Sequence, residues 1–421
     1  MKKDDMILVS VDDHIIEPRD LFEKHIARKW ADRAPRLVYD AQRRMETWTW
    51  EYGASGQSFI NTVVTLPNHE WGFDPGTQAE IRPGCYDVKE RVRDMDANGV
   101  LASLCFPSFP GMAGGLFSKA ADRDLGLACV QAYNDWHIDD WCASHPGRFI
   151  PLAVSPIWDG DAAAAEVRRV AKKGVTAITF TEDTEAFGLP SIHTGAYDAF
   201  FEACAEEGVV VAIHIGSAAQ GFPGRDSEPL HVRYTMPTWN SLPCAANLLW
   251  SHLLRKYPDL KFALSEGGTS WIPGFLDRME RHYHVQRWAK PDLGGLTPTE
   301  VFRRNFLACF ICDPSGLLLR DRIGIDNISY EVDYPHSDCT WPNSADELWE
   351  HFELARCTDE EIAKISHGNA LRWLRYDPFR HVPKAEATVG ALKARAADVD
   401  VRTRSKAEYK AEWEAAHGPL S

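Results

Sequence analysis

Short apolar runs recur along this chain, and stretches of helical period separate them. The runs are MILVSV (6–11), VLASLCF (100–106), FIPLAVS (149–155), VTAITF (175–180), VVVAIHI (209–215), LKFALS (260–265), FLACFIC (306–312) and ISYEV (328–332). They are continuous rather than alternating, as a parallel sheet covered on both faces requires. Between them lie amphipathic stretches such as YDVKERVRDMDANG, AAAAEVRRVAKKG and YDAFFEACAEEG, which end at Gly99, Gly174 and Gly208. Glycine is the usual helix stop. Eight strands alternating with helices predict an α/β chain closed as a (β/α)8 TIM barrel. An open doubly wound sheet is the alternative, but no GxGxxG or GxxxxGK[ST] motif supports its nucleotide-binding form.

Two segments break the period. Residues 19–85, rich in Trp, Pro and Gly, fall between the first run and its helix. They read as an insertion after strand one, lying over the barrel mouth as a lid or pocket wall. Residues 384–421 are rich in Ala, Lys, Arg and Glu. They read as a C-terminal helical arm, either exposed and gripping a second subunit in a homodimer or higher oligomer, or frayed. The expected organisation is therefore a barrel over 1–383 and an arm over 384–421. A chain of 421 residues suits one decorated barrel, since such barrels exceed about 400 residues with insertions.

A net charge of −15 argues against nucleic acid as a partner. No run of 18 apolar residues predicts a transmembrane helix, and MKKDDMILVSVDDH has no room for a signal peptide. The ten scattered cysteines suit a reducing compartment, so a cytoplasmic protein is expected. Cys309 and Cys312 form a CxxC, but on a strand an offset of three points them to opposite faces. Two buried core thiols are the expectation there.

In a TIM barrel, side chains at the C-terminal strand ends converge on one mouth. The first run ends in Asp12-Asp13-His14, and Asp12 and His14, two apart, share a face. The fifth ends at His214, the sixth at Ser265-Glu266 and the eighth at Asp333. A lone strand histidine is usually structural, and a lone aspartate after a strand is usually a cap or turn residue. Residues of these types at the same place in four strands instead form a metal-ligand set. Asp12, His14, His214 and Asp333 are the candidate ligands of a divalent ion. Imidazoles suit Zn2+, the first expectation, and oxygen donors favour Mn2+, the second. His336, three residues past Asp333, is a candidate substrate contact. Glu331 shares a strand face with Asp333 and is a candidate to orient a ligand. Trp271 and the insertion's aromatics could wall an aromatic substrate. His252, His282 and His284 lie in helical sequence and are set aside.

The segments VDDHIIEP, AIHIG, LKFALSEGGTSWIP, YEVDYPHSDCTWPNS and ISHGNALRWL, in that order, resemble the amidohydrolase superfamily. Within it they resemble the amidohydrolase-related group that contains aminocarboxymuconate semialdehyde decarboxylase and γ-resorcylate decarboxylase. The resemblance spans roughly residues 6–380. It implies that the first-strand pair Asp12 and His14 stands for an HxH or ExH metal pair, and that His214 and Asp333 complete the ligands. Binuclear members carry a carboxylated lysine at the end of strand four; VTAITFTED offers none, which implies one metal. Family decarboxylases carry a catalytic histidine in an HGG motif at the end of strand six. Here that place is Glu266, in SEGG.

Two enzymatic readings follow. In the first, a non-oxidative decarboxylase acts on a small aromatic or unsaturated carboxylic acid, with Asp333 or Glu266 delivering the proton. In the second, a hydrolase activates water on the metal, with Asp333 as base, to cleave an amide, ester, lactone or C–C bond. A non-catalytic binding scaffold is the third and predicts no bound metal.

Overall fold

The computed structural model describes residues 1–419 except 52, 55–58, 60, 73–75, 219–228 and 290–291. Eight parallel strands build the barrel: β1 (Leu8–Ile15), β2 (Val100–Pro107), β3 in two pieces (Phe149–Ile150 and Leu152–Val154), β4 (Ala177–Phe180), β5 (Val210–His214), β6 (Phe262–Ser265), β7 (Phe306–Phe310) and β8 (Ile328–Tyr330). Successive strands pair in parallel from β1 to the first piece of β3, and from its second piece to β8. The ring closes between β8 and β1, where the Asp333 amide donates to the Asp12 carbonyl (2.8 Å) and the His14 amide to the Tyr334 carbonyl (2.6 Å). Each of these strands is buried throughout because the barrel interior covers one face and the helical layer the other.

Helices return the chain between strands. Val88–Asn98 starts on the Asp87 side chain, which accepts from the Lys89 and Glu90 amides, and stops at Gly99 in the left-handed region (φ 77). A Cβ on Gly99 would stand 2.9 Å from Val389 Cγ1, so tight packing as well as φ demands glycine there. No helix among the described residues is long and apolar enough to cross a membrane.

The first strand runs past the apolar stretch that predicts it. It continues through the charged residues to Ile15, with a register irregularity between Ser10 and Asp13. Such an irregularity bends a strand and re-aims its side chains. Asp13 accordingly leaves the mouth and accepts from Ser10 Oγ (3.1 Å), the Tyr334 amide (3.0 Å) and Ser103 Oγ.

The segment after β1 folds into a short helix (Leu21–His25) and an antiparallel sheet of Arg36–Asp40, Met45–Trp50 and Gly53–Ala54. Its later part reaches the loop after β8, where the Val63 and Val64 amides both donate to the Pro335 carbonyl at 3.0 Å. The C-terminal segment differs from an exposed or frayed arm. It lies on its own chain: Val389 and Leu392 of the helix Val389–Arg395 are fully buried, and the Val389 amide donates to the Met6 carbonyl (2.8 Å). Its last helix, Lys406–His417, packs against the turn at Gln78–Glu80. These contacts are made by a few apolar residues spaced among charges, which a composition reading averages away.

The CxxC expectation of two core thiols holds for one of them. Cys309 is buried, whereas Cys312, just past the end of β7, is exposed and lies 3.7 Å from His351 Nε2.

Candidate active site

The mouth residues are presented by strand ends. Asp12 and His14 project from β1, His214 ends β5, Glu266 follows β6, and Asp333 follows β8. Two of these residues sit in the left-handed backbone region, Glu266 at φ 58 and Asp333 at φ 62. Non-glycine residues pay strain there, and such strain persists where surrounding contacts over-determine the geometry.

The side chains converge tightly. Asp12 Oδ2 lies 3.2 Å from His214 Nε2, and Asp12 Oδ1 lies 3.5 Å from His14 Nε2. Asp333 Oδ1 stands 3.3 Å from His14 Nε2 and 2.8 Å from His336 Nδ1. Glu266 Oε2 is 3.2 Å from His214 Nε2. The five candidate residues Asp12, His14, His214, Asp333 and His336 fall into two overlapping clusters with metal-binding spacing, joined by His14. Glu266 adds a carboxylate to the same His214 nitrogen, so the spatial set is richer in oxygen than the four-residue set read from strand ends.

A divalent cation fits this arrangement. Asp12 is wholly buried, and neither of its carboxylate oxygens accepts a hydrogen bond. An uncompensated carboxylate costs several kcal/mol in such a place. His214 Nδ1 donates to the Ile215 carbonyl (2.5 Å), which fixes the tautomer and leaves Nε2 as a free lone pair facing Asp12. Burial holds His14 well below the ordinary imidazole range and His214 down at about 4, so both rings are neutral, as ligands must be.

Electrostatics separates the carboxyls. Burial, then the neighbouring Glu331 and Asp333, pushes Asp12 well upward. Burial also works on Asp333, but His336 and His14 beside it hold it below the usual carboxylate range. Glu266 is pushed well upward by burial and by Asp333 and Glu331, although 21% of its side chain remains exposed at the mouth.

Glu331 is fully buried, and its Oε1 accepts the Glu266 amide at 2.9 Å. It thus supports the residue at the end of β6. Trp271, a candidate wall, instead clamps the SEGG turn: its indole donates to the Gly267 (2.9 Å) and Gly268 (3.1 Å) carbonyls. The insertion's Trp48 is wholly buried, stacked on Phe109 at 4.5 Å, and is core rather than wall. His252 pairs with Asp198 (2.6 Å) away from the mouth.

Three supporting residues escape the strand-end reading. Arg91, 1% exposed, donates to the His14 carbonyl (2.5 Å) and the Gly84 carbonyl (2.6 Å) and lies over the Tyr334 ring. Its signal was available, since Val88, Arg91, Val92 and Met95 follow the i, i+3, i+4, i+7 core spacing. Asp313 accepts from the Thr269 (2.6 Å), Ser270 (2.7 Å) and Gly316 (2.9 Å) amides and ties the loops after β6 and β7 together. An Asp-Pro pair opening a helix announces a cap but not its long-range partners. Glu182, after β4, accepts the Ala218 amide (3.3 Å), and burial pushes it up to about 7.

A parallel eight-stranded barrel with imidazoles and carboxylates gathered at the C-terminal strand ends defines a TIM-barrel enzyme with a metal-binding mouth. The amidohydrolase family model matches residues 30–376, and the chain belongs to that family. Among similar proteins, γ-resorcylate decarboxylase of Polaromonas sp. (strain JS666) is 25% identical over 345 residues, which span 76% of this chain and 95% of that protein. An amidohydrolase from Mycobacterium avium subsp. paratuberculosis K-10 shares the fold with a TM-score of 0.68 at 21% identity, over 88% of this chain and 99% of that one. A dihydroxybenzoic acid decarboxylase from Polaromonas sp. JS666, solved with bound manganese and the inhibitor 2-nitroresorcinol, gives a TM-score of 0.59 at 19% identity, over 90% of this chain and 99% of that one.

Proposed function

We propose that this enzyme is a non-oxidative decarboxylase, a carboxy-lyase acting on a small aromatic carboxylic acid. The observation that carries the reading is similarity to a hydroxybenzoate decarboxylase along nearly that protein's whole length. The separation of the mouth carboxyls supports it, because a decarboxylase needs one proton donor beside an ionised cluster.

Asp12, His14, His214 and Asp333 would hold one divalent ion, with Glu266 near enough to join them. Mn2+ replaces Zn2+ as the favoured ion, because a similar dihydroxybenzoic acid decarboxylase carries manganese and the Asp12 and Asp333 carboxylates supply oxygen donors, which favour harder ions. When bound, the ion supplies Lewis-acid stabilisation of the substrate's carboxylate or adjacent hydroxyl.

The chain's own residues then do the following. Glu266, raised in pKa and partly open to the mouth, gives its proton to the ring carbon that bears the carboxylate. The carbon–carboxylate bond breaks, CO2 leaves, and its electron pair restores the ring. Glu266, now ionised, regains a proton from solvent at its exposed edge. Asp333, flanked by His14 and His336, stays ionised throughout, and His336 faces the substrate from the loop after β8. Glu331 keeps the Glu266 backbone in place. Val63 and Val64 of the insertion hold the loop after β8 through the Pro335 carbonyl.

Hydrolysis is the second reading. Glu266 in the place where family decarboxylases keep a histidine favours it. One experiment separates the two: the Mn2+-loaded enzyme is incubated with a panel of hydroxybenzoates and amides in H218O. CO2 release without 18O in the organic product supports decarboxylation. Labelled product without CO2 overturns it.

A further inference from the structure

We propose that the C-terminal arm is a positioning element of the active-site mouth, holding the Asp333–His336 loop through two separate relays that end on adjacent residues of that loop. The inference does not depend on which reaction the site performs.

The first relay runs through charge. The Asp400 carbonyl accepts from Arg82 Nη1 (3.0 Å). Arg82 also grips Asp94 with two nitrogens, Nε to Oδ2 at 2.7 Å and Nη2 to Oδ1 at 2.6 Å. Asp94 Oδ2 in turn accepts the Tyr334 hydroxyl at 2.6 Å. Arg82, Asp94 and Tyr334 are all buried, so these bonds are made away from competing water. A two-pronged Arg–carboxylate contact fixes orientation as well as distance.

The second relay runs through packing. Tyr409, on the last helix, is 3% exposed and forms a small apolar cluster with Val63 and Leu66. Its hydroxyl meets Thr65 Oγ1 (2.5 Å), and the Arg404 amide donates to the Thr65 carbonyl (2.9 Å). Thr65 sits in the left-handed region (φ 67), where a β-branched residue is strained and needs outside support. Directly before it, the Val63 and Val64 amides both end on the Pro335 carbonyl.

Tyr334 and Pro335 are the two residues that follow Asp333, and His336 comes next. Asp333 is itself in the left-handed region, and its side chain touches both His14 and His336. The arm therefore fixes the segment whose strained geometry aims an expected ligand and the histidine beside it. A purely structural clamp would stabilise the insertion without reaching this loop.

Hydrogen exchange on the full Mn2+-loaded chain tests the proposal, comparing wild type with Tyr409→Ala. The expected result is exchange at least about threefold faster in peptides covering 61–66 and 332–338, measured relative to the β4 peptide, which holds no expected ligand, since local opening is set by local contacts. Weaker Mn2+ binding, read from the spectroscopic signal of free Mn2+, should accompany it. If 332–338 exchanges as in wild type, or if all peptides including β4 speed up equally, the proposal is overturned. Should Tyr409→Ala fail to fold, Tyr409→Phe decides: it keeps the ring and loses the Thr65 contact, and faster relative exchange at 332–338 supports the relay while none overturns it.

Discussion

The Nε2 atoms of His14 and His214 face each other at 3.2 Å across the barrel mouth, 200 residues apart in the chain. The Nδ1 of His214 is committed to the Ile215 carbonyl, so its Nε2 has no proton to donate. The His214 lone pair and the Asp12 carboxylate, neither of whose oxygens accepts a hydrogen bond, then face one point with His14 Nε2 beside them, and a cation relieves the arrangement. Purified wild-type chain should hold about one equivalent of divalent metal, and His214→Ala less than about a tenth, by elemental analysis. Full metal retention in His214→Ala would sink the ligand assignment.

Glu266→Gln keeps the shape of the side chain and removes the transferable proton. Its kcat should fall about 10²–10⁴-fold, with KM changed much less, as loss of a general acid does. Glu266→His should retain part of the activity. Steady-state kinetics at saturating Mn2+ reads both.

Glu331 should act through the Glu266 amide that it accepts. Glu331→Gln keeps an acceptor at that place and should remain close to wild type in thermal stability. Glu331→Leu leaves a buried N–H unpaired, at a cost of about 1–3 kcal/mol. A drop in kcat for the leucine variant but not the glutamine variant identifies a positioning role; equal drops would point to a need for the carboxyl itself.

His137 gives a pH signature away from the metal cluster. It is 1% exposed, and burial lowers it from 6.5 to about 4. Between those values the unfolded chain binds a proton that the folded chain refuses. Stability from this residue is therefore fully present above pH about 6.5 and is lost as pH falls toward about 4, a loss on the order of 3 kcal/mol. His137→Phe should show a shallower fall in denaturant midpoint over that window. Parallel curves for the two proteins would refute the assignment, since the site histidines titrate alike in both.

Much of the site was legible in the chain. Asp12 and His14 share a face because a strand repeats every two residues, and each candidate ends an apolar run whose length marks a covered strand. The strand of Asp12 was harder to bound, because its last residues are charged and only the barrel mouth makes them strand. Trp271 could not be told from a substrate wall, since a buried indole and a pocket indole look alike until the Gly267 and Gly268 carbonyls beneath it are seen.

By itself the sequence determined the eight strands, their order and the residues at their ends, all consequences of local period and of where polar residues interrupt it. Only the tertiary structure decided what those ends meet. Closure of the barrel brings His14 to His214 and sets Glu266 on His214. Burial by distant segments gives Arg91, Glu331 and Asp94 their tasks. The C-terminal arm folds back onto Thr65 rather than away from it. Such contacts join residues far apart in the chain through one or two side chains each, and no local periodicity records them.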